Sequence, residues 1–253
     1  MVEKTADIKA YFDNATIEEL DVLINRYRDD SRKIIQGYIQ KATNKIDKYN
    51  KELIRLEEMK VYEKKYSDFS YIAGIDEVGR GPLAGPVVAC SVILPKDCNI
   101  LYINDSKKLS AKLREELAME IKERAISYSI GVASMERIDE INILQATYEA
   151  MQNAVNTMSV VPDLLLNDAV IIPNLPQKQV NIIHGDAKSI SIAAASIVAK
   201  VYRDKLMEEY DKIYPEYGFA SNKGYGSSTH IEAIKKYGPC PIHRNTFIQN
   251  FIY

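Results

Sequence analysis

Residues 71–86 read YIAGIDEVGRGPLAGP, and both the fold and the chemistry turn on them. The segment opens as an apolar strand, stops on two adjacent carboxylates, Asp76 and Glu77, and then breaks into glycines and prolines around Arg80. A strand that delivers acid to its own end, followed by a turn whose backbone can approach a ligand closely, suits a metal and a phosphate. Neighbouring strand residues point to opposite faces. Bringing Asp76 and Glu77 inward together therefore predicts a twist or bulge at Glu77, which Gly79 would permit.

Two more acids occupy equivalent places. Asp168 follows the apolar run at 163–167, and Asp186 follows a short strand at 180–183. In a sheet flanked by helices, ligands gather at strand ends, so these positions can converge with Asp76 and Glu77. Asp163 is the alternative to Asp168, although its place before Leu164-Leu165-Leu166 suits the start of a strand. Four carboxylates in one place repel and need cations. Oxygen donors without a His or Cys set select Mg²⁺ or Mn²⁺, and two such ions clamp the attacking and leaving oxygens of a phosphodiester. Asp186 also precedes the longest helical run, whose N-terminal dipole favours an ionised acid. His184, His230 and His243 lack the spacing of metal ligands.

Around these acids the pattern alternates between strands and helices. A second strand is predicted over 86–94, antiparallel to the first. Asp105 is expected to fix the polar loop 104–109 through its own backbone, and Ser110 to cap a helix ending near Arg124. A strand over 125–133, a helix over 142–158 and the short strands at 163–167 and 180–183 follow. Next come a helix over 189–214, a loop over 215–228 and a helix over 229–237. This order predicts an α/β domain with a mixed sheet. Residues 1–70 differ, with a single glycine, Gly37, no proline and densely mixed charge. Thr16-Ile17-Glu18-Glu19 fits a capping box. Ile35, Ile39, Ala42, Ile46, Tyr49, Leu53 and Leu56 make a heptad-spaced stripe, predicting a helical hairpin or short coiled-coil-like arm. Two domains are expected, a helical extension over 1–70 and a catalytic domain over 71–253.

Composition narrows the class. The 253 residues are 46% hydrophobic and 27% charged, enough for a sizeable core, and the net charge of −2 gives no global attraction to polyanions. A nucleic-acid ligand would be met by local Lys and Arg or by metal. Three cysteines without C-x-x-C spacing argue against a disulfide framework. The absence of an apolar leader or membrane-length run predicts a cytoplasmic protein.

Five motifs carry a resemblance: DEVGRGPLAGP at 76–86, NDSKKLS at 104–110, GDAKSISIAAASIVAKVYRD at 185–204, NKGYGSSTH at 222–230 and HRNTF at 243–247. Together they resemble type 2 ribonuclease H, the ribonuclease HII family, over about residues 71–250. The resemblance implies a ribonuclease H-like mixed sheet flanked by helices, with a helical N-terminal extension. It implies hydrolysis of the RNA strand of RNA–DNA hybrids and incision 5′ of single ribonucleotides in duplex DNA, leaving 3′-hydroxyl and 5′-phosphate ends. By motif, the catalytic, metal-holding acids are Asp76, Glu77, Asp168 and Asp186. Ala169 follows Asp168 where many relatives have glycine. The Gly79-Arg80-Gly81 backbone would read the 2′-hydroxyl, and Tyr225 would stack on the sugar of the adjoining deoxynucleotide. Lys107 would meet phosphate, with Lys108, Arg80 and Arg244 as further candidates. A monomer is expected. Rival readings are a ribonuclease HIII-like nuclease, which prefers longer RNA tracts, and a non-catalytic hybrid-binding module. The closing FIQNFIY is read either as a tail for a sliding clamp or as a segment packed on its own domain.

Overall fold

In the N-terminal region three helices form, α1 (Thr5–Asn14), α2 (Ile17–Tyr27) and α3 (Lys33–Glu58), in a computed structural model that describes residues 3–252. The capping box is made: the Glu19 N–H donates to Thr16 Oγ1 at 3.3 Å, and the Thr16 N–H donates to the Glu19 carboxylate at 2.9 Å. Ile8, Phe12, Leu20, Tyr27, Ile35 and Ala42 close one apolar cluster, with Ile39 and Ile46 of the heptad stripe packed against it. Helix α1 is an addition to the expected hairpin, and its Ile8 and Phe12 give the cluster a third side.

The chain divides into two compact units, Met1–Glu57 and Glu58–Tyr253. Residues 58–70 thus fold with the second unit, ahead of the change in composition near residue 70. Helix α4 (Val61–Lys65) lies here, and its Glu63 accepts from Ser189 Oγ at 2.6 Å and from the Ser191 N–H at 3.0 Å.

The second unit continues with β1 (Ile72–Val78), β2 (Val87–Ile93), α5 (Ala111–Arg124), β3 (Ser127–Ala133), α6 (Met135–Asn156), β4 (Leu164–Asp168) and β5 (Lys178–Ile182). It closes with α7 (Ile190–Ile213), α8 (Phe219–Asn222), α9 (Ser228–Tyr237) and α10 (Asn245–Ile252). The strands form one mixed sheet in the order β3-β2-β1-β4-β5. β2 is antiparallel to β1 and β3, whereas β4 is parallel to β1 and β5.

Alternation along β1 separates two faces. Ala73 and Ile75 pack with Val87, Ala89 and Ile93 against Ala146, Ala150 and Ala154 of α6. The residues between them meet α7, where Ile72 packs on Ile192. Gly74 lies so close to α7 that a Cβ there would sit 2.0 Å from the Ser191 carbonyl carbon, so only glycine allows this approach. Ala193, Ala194 and Ala195 of α7 are all fully buried.

Two departures from expectation have local causes. Helix α6 starts early, at Met135, because Ser134 caps it, and at Asn142 the chain turns with φ 69° and its Oδ1 restarts the helix by accepting from the N–H groups of Leu144 and Gln145. Within 215–228 a short helix, α8, forms between left-handed Gly218 and Lys223. The closing segment forms α10, whose Ile248 is fully buried. No helix among the described residues is long and apolar enough to cross a membrane.

Candidate active site

β4 pairs with β1 only as far as Ile75 opposite Asn167, while β1 and β2 stay paired to Val78 opposite Val88. The last residues of β1 therefore lie beside an open edge. The predicted bulge is absent: Asp76, Glu77 and Val78 each face one residue of β2 in unbroken register. The two acids leave opposite faces of a regular strand. Both still sense Asp168, because it is the last residue of β4, the strand next to β1.

Each acid is held by its own element. Asp76 is buried, accepts from the Glu77 N–H at 2.8 Å and has Ser196 of α7 beside it, which favours its ionised form. Asp168 ends β4, and its Oδ1 accepts from the Gly185 N–H at 2.8 Å, which ties it to the turn bearing Asp186. The residue after it, Ala169, has φ 56°, a left-handed conformation that glycine adopts more readily than alanine. Asp186 is buried in the 3₁₀ turn Gly185–Ala187. It does not cap α7: Ser189 does, accepting from the Ile192 N–H at 3.2 Å.

The charges in this group oppose one another. Burial raises the Asp76 pKa well above the usual carboxylate value, and Glu77 and Asp168 raise it further. Burial also raises Glu77, partly offset by Arg80, whose Nη1 lies 3.2 Å from Glu77 Oε1. Asp186 is raised by burial, then by Asp105 and Asp168, so the expected lowering by the helix dipole does not prevail. Burial works against the Lys107 ammonium, but Asp105, Asp186, Asp76 and Asp168 together raise its pKa. One lysine thus faces several acids, and the excess negative charge calls for added cations.

Two participants carry no obvious sequence signal. Asp105 fixes its loop as expected, accepting from the Lys107 N–H at 3.0 Å, and it also stands among the acids around Asp186. Ser196 lies beside Asp76, and Ser106 and Ser196 share a buried Oγ–Oγ hydrogen bond of 2.9 Å that ties the loop to α7. Asp163, the alternative to Asp168, instead clamps the start of β1 by accepting from the N–H groups of Ser70 and Tyr71 at 3.0 and 2.8 Å.

Beyond Glu77 the chain turns at Gly79, whose φ of 95° only glycine adopts readily. The Tyr225 ring stands beside the turn: a Cβ on Gly81 would meet its Cε1 at 3.9 Å, and the tyrosine is 44% exposed. Its carbonyl accepts from His230 Nδ1 at 2.8 Å, and His230 and His243 join through their Nε2 atoms at 3.0 Å in the core. Arg244, a phosphate candidate in the sequence, is fully buried and bonds to the carbonyls of Arg80 and Gly85. It holds the loop from behind and does not face a ligand.

Among the described residues, no three His, Cys, Asp or Glu side chains are already drawn together as metal ligands. The donor set nevertheless fits a hard divalent cation. It is made of carboxylate oxygens, buried, mutually repelling and short of positive charge.

Comparison with known proteins shows the family and agrees with the fold. Residues 73–250 match the family described as Ribonuclease HII, and residues 4–67 match its N-terminal domain. The chain is 63% identical over 226 residues to a Ribonuclease HII of Lachnoclostridium phytofermentans, covering 89% of each. Among solved structures, it resembles the ribonuclease H2 of Pyrococcus horikoshii with a TM-score of 0.61 and 28% identity, covering 72% of this chain and 96% of that one. It also resembles the ribonuclease HII in a PCNA:RNase HII complex from Archaeoglobus fulgidus, with a TM-score of 0.59 and 27% identity over 72% of this chain and 97% of that one.

Proposed function

The chain belongs to the ribonuclease HII family of endoribonucleases, and from that premise we propose that it incises duplex DNA 5′ of single embedded ribonucleotides. Hydrolysis of RNA in RNA–DNA hybrids and dependence on a divalent metal come with the family. The finer reading is a monomer using two ions, Mg²⁺ or Mn²⁺, held by Asp76, Glu77, Asp168 and Asp186. What supports it is that these acids, from three separate elements, lie near enough to raise one another's pKa beside an open strand end and a glycine turn. When bound, such ions activate water and stabilise the 3′-oxygen leaving group, leaving 3′-hydroxyl and 5′-phosphate ends.

The protein's own groups divide the remaining work. The Glu77 N–H holds the Asp76 carboxylate in one orientation, and the Gly185 N–H does the same for Asp168. Lys107, on the exposed side of the acids, meets a phosphate. Gly79, Arg80 and Gly81 bring backbone against the 2′-hydroxyl, the group that distinguishes RNA from DNA. Tyr225 stacks on the adjoining deoxyribose, where a second hydroxyl would crowd its ring.

The test is a duplex carrying one ribonucleotide. In Mg²⁺ a single nick is expected 5′ of that residue, with an extendable 3′-hydroxyl, and EDTA abolishes it. Cleavage confined to runs of several ribonucleotides would favour the ribonuclease HIII-like alternative. Binding without any metal-dependent cleavage would favour a hybrid-binding module.

A second partner reading rests on the archaeal relative solved with PCNA. We propose that a sliding clamp docks on the C-terminal segment, where Gln249 and Asn250 are exposed although Ile248 is buried and Phe251 packs on the core. Tyr253 lies outside the described residues. Clamp pull-down that is unchanged by removing the last five residues would refute this docking.

A further inference from the structure

Two arginines stand fully buried behind the 79–86 loop, Arg203 on α7 and Arg244 just ahead of α10. Their hydrogen bonds go to backbone carbonyls. Arg203 donates to Pro86 at 3.0 Å, to Ala84 at 3.0 Å and to Lys223 at 2.8 Å. Arg244 donates to Arg80 at 2.9 Å, to Gly85 at 2.9 and 2.7 Å, and to Gly79. Burying two like charges without carboxylate partners is costly, and burial together with Arg203 pushes the Arg244 pKa down to about 9. A pair retained at such a cost is doing something apolar residues would not do.

The remaining peptide groups show what that is. The N–H groups of Leu83 and Ala84 bond to the Gly224 carbonyl, and the Gly85 N–H bonds to Ile242. Pro82 and Pro86 have no N–H. Among the described residues, the N–H groups of Gly79, Arg80 and Gly81 donate to no protein acceptor. The loop is therefore polarised: the Gly79 and Arg80 carbonyls are drawn inward onto Arg244, which leaves the N–H groups of the exposed Arg80 and Gly81 on the opposite side, Gly81 beside Tyr225.

We propose that Arg203 and Arg244 are positioning residues that lock this loop with its donors outward, and so set the discrimination between ribose and deoxyribose. The inference rests on the reading that the 79–81 segment faces the sugar. A fixed donor face is satisfied by a 2′-oxygen and left unpaired against a deoxyribose, which is where selectivity of this kind arises. A loop free to rotate its peptides could turn a carbonyl to either sugar and would lose the preference.

The decisive measurement is the ratio of affinities for a duplex with one ribonucleotide and for the same duplex in all-DNA form, taken in Ca²⁺ to suppress cutting. Arg244→Met and Arg203→Met are expected to lower that ratio at least about tenfold, the loss of one charge-assisted contact's worth of selectivity, while all-DNA affinity changes little. Lysine at either position restores charge without the fork, so Arg244→Lys should recover the ratio only in part. A purely structural role would weaken both duplexes alike, and an unchanged ratio in any folded variant would overturn the proposal. A second measurement needs only the wild-type chain: amide hydrogen exchange at residues 79–81 should slow on the ribonucleotide-bearing duplex and not on the all-DNA one. Equal protection by both overturns the proposal even if no variant folds. Wild-type incision of the same duplex, run alongside, separates failure of this inference from failure of the parent reading.

Discussion

Replacing Gly74 by alanine tests whether the contact between β1 and α7 sets the site. The added Cβ would lie 2.0 Å from the Ser191 carbonyl carbon and 2.3 Å from the Ile192 nitrogen, where ordinary contact begins at 3.4 Å. The opposing atoms are backbone, so no rotamer relieves the overlap and α7 must retreat by about 1.4 Å. Overpacking of this kind costs about 1–3 kcal/mol, and a backbone collision belongs at about 3 kcal/mol. For a chain of this size that lowers the thermal midpoint by roughly 6–12 °C. The retreat also carries Ser196 away from Asp76, and a misplacement of about 1 Å commonly costs about a hundredfold in rate. Thermal unfolding and single-turnover cleavage of an RNA–DNA hybrid read the two effects. A midpoint within about 2 °C of wild type, with an undiminished rate, would refute this account of how α7 places the acids.

Asp76→Asn is expected to lower cleavage in Mg²⁺ by more than about a hundredfold, beyond what losing an outer-shell partner costs, with duplex affinity largely kept; an active variant removes Asp76 from the site. In EDTA the same variant should unfold at a higher temperature than wild type. The folded Asp76 pKa is raised by burial, Glu77 and Asp168, so the metal-free fold loses stability as pH climbs above the unfolded value of 3.8. The advantage of Asp76→Asn should therefore grow with pH and vanish in strong acid, and a pH-independent difference would contradict the assignment. Tyr225→Ala should cut incision at a lone ribonucleotide by about ten- to a hundredfold, as the loss of one stacked ring predicts, without changing the Mg²⁺ concentration required; steady-state kinetics decide. Burial and His230 press the His243 pKa from 6.5 to about 4, so its contribution is present above pH 6.5 and is lost as pH falls through the folded value. That loss amounts to about 3 kcal/mol, and a His243 resonance titrating near 6.5 by NMR would exclude it.

The acids were readable because each follows an apolar run, a pattern confined to a few consecutive residues. The Thr16 and Ser110 caps were readable for the same reason, since cap and partner lie three residues apart. What escaped depends on distant pairings. Ser106 meets Ser196 across 90 positions, and Arg244 reaches Gly79 across 165, with no local trace of either contact. The bulge was expected from a correct rule about alternation, but the rule assumes a sheet that continues on both sides. The β1–β4 pairing stops at Ile75, so Glu77 lies at an unpaired edge of β1. Asp186 shows a similar limit: the dipole of a following helix is visible in sequence, whereas the burial and neighbouring acids that outweigh it are not.

The parallel pairing of β1 with β4 has a consequence for biosynthesis. A parallel partner cannot be supplied by a tight hairpin, so β1 waits until the long excursion through β2, β3 and α6 has been made before β4 arrives. On the proposed assignment, a nascent chain that has exposed only Asp76 and Glu77 owns half of its acids and no scissors.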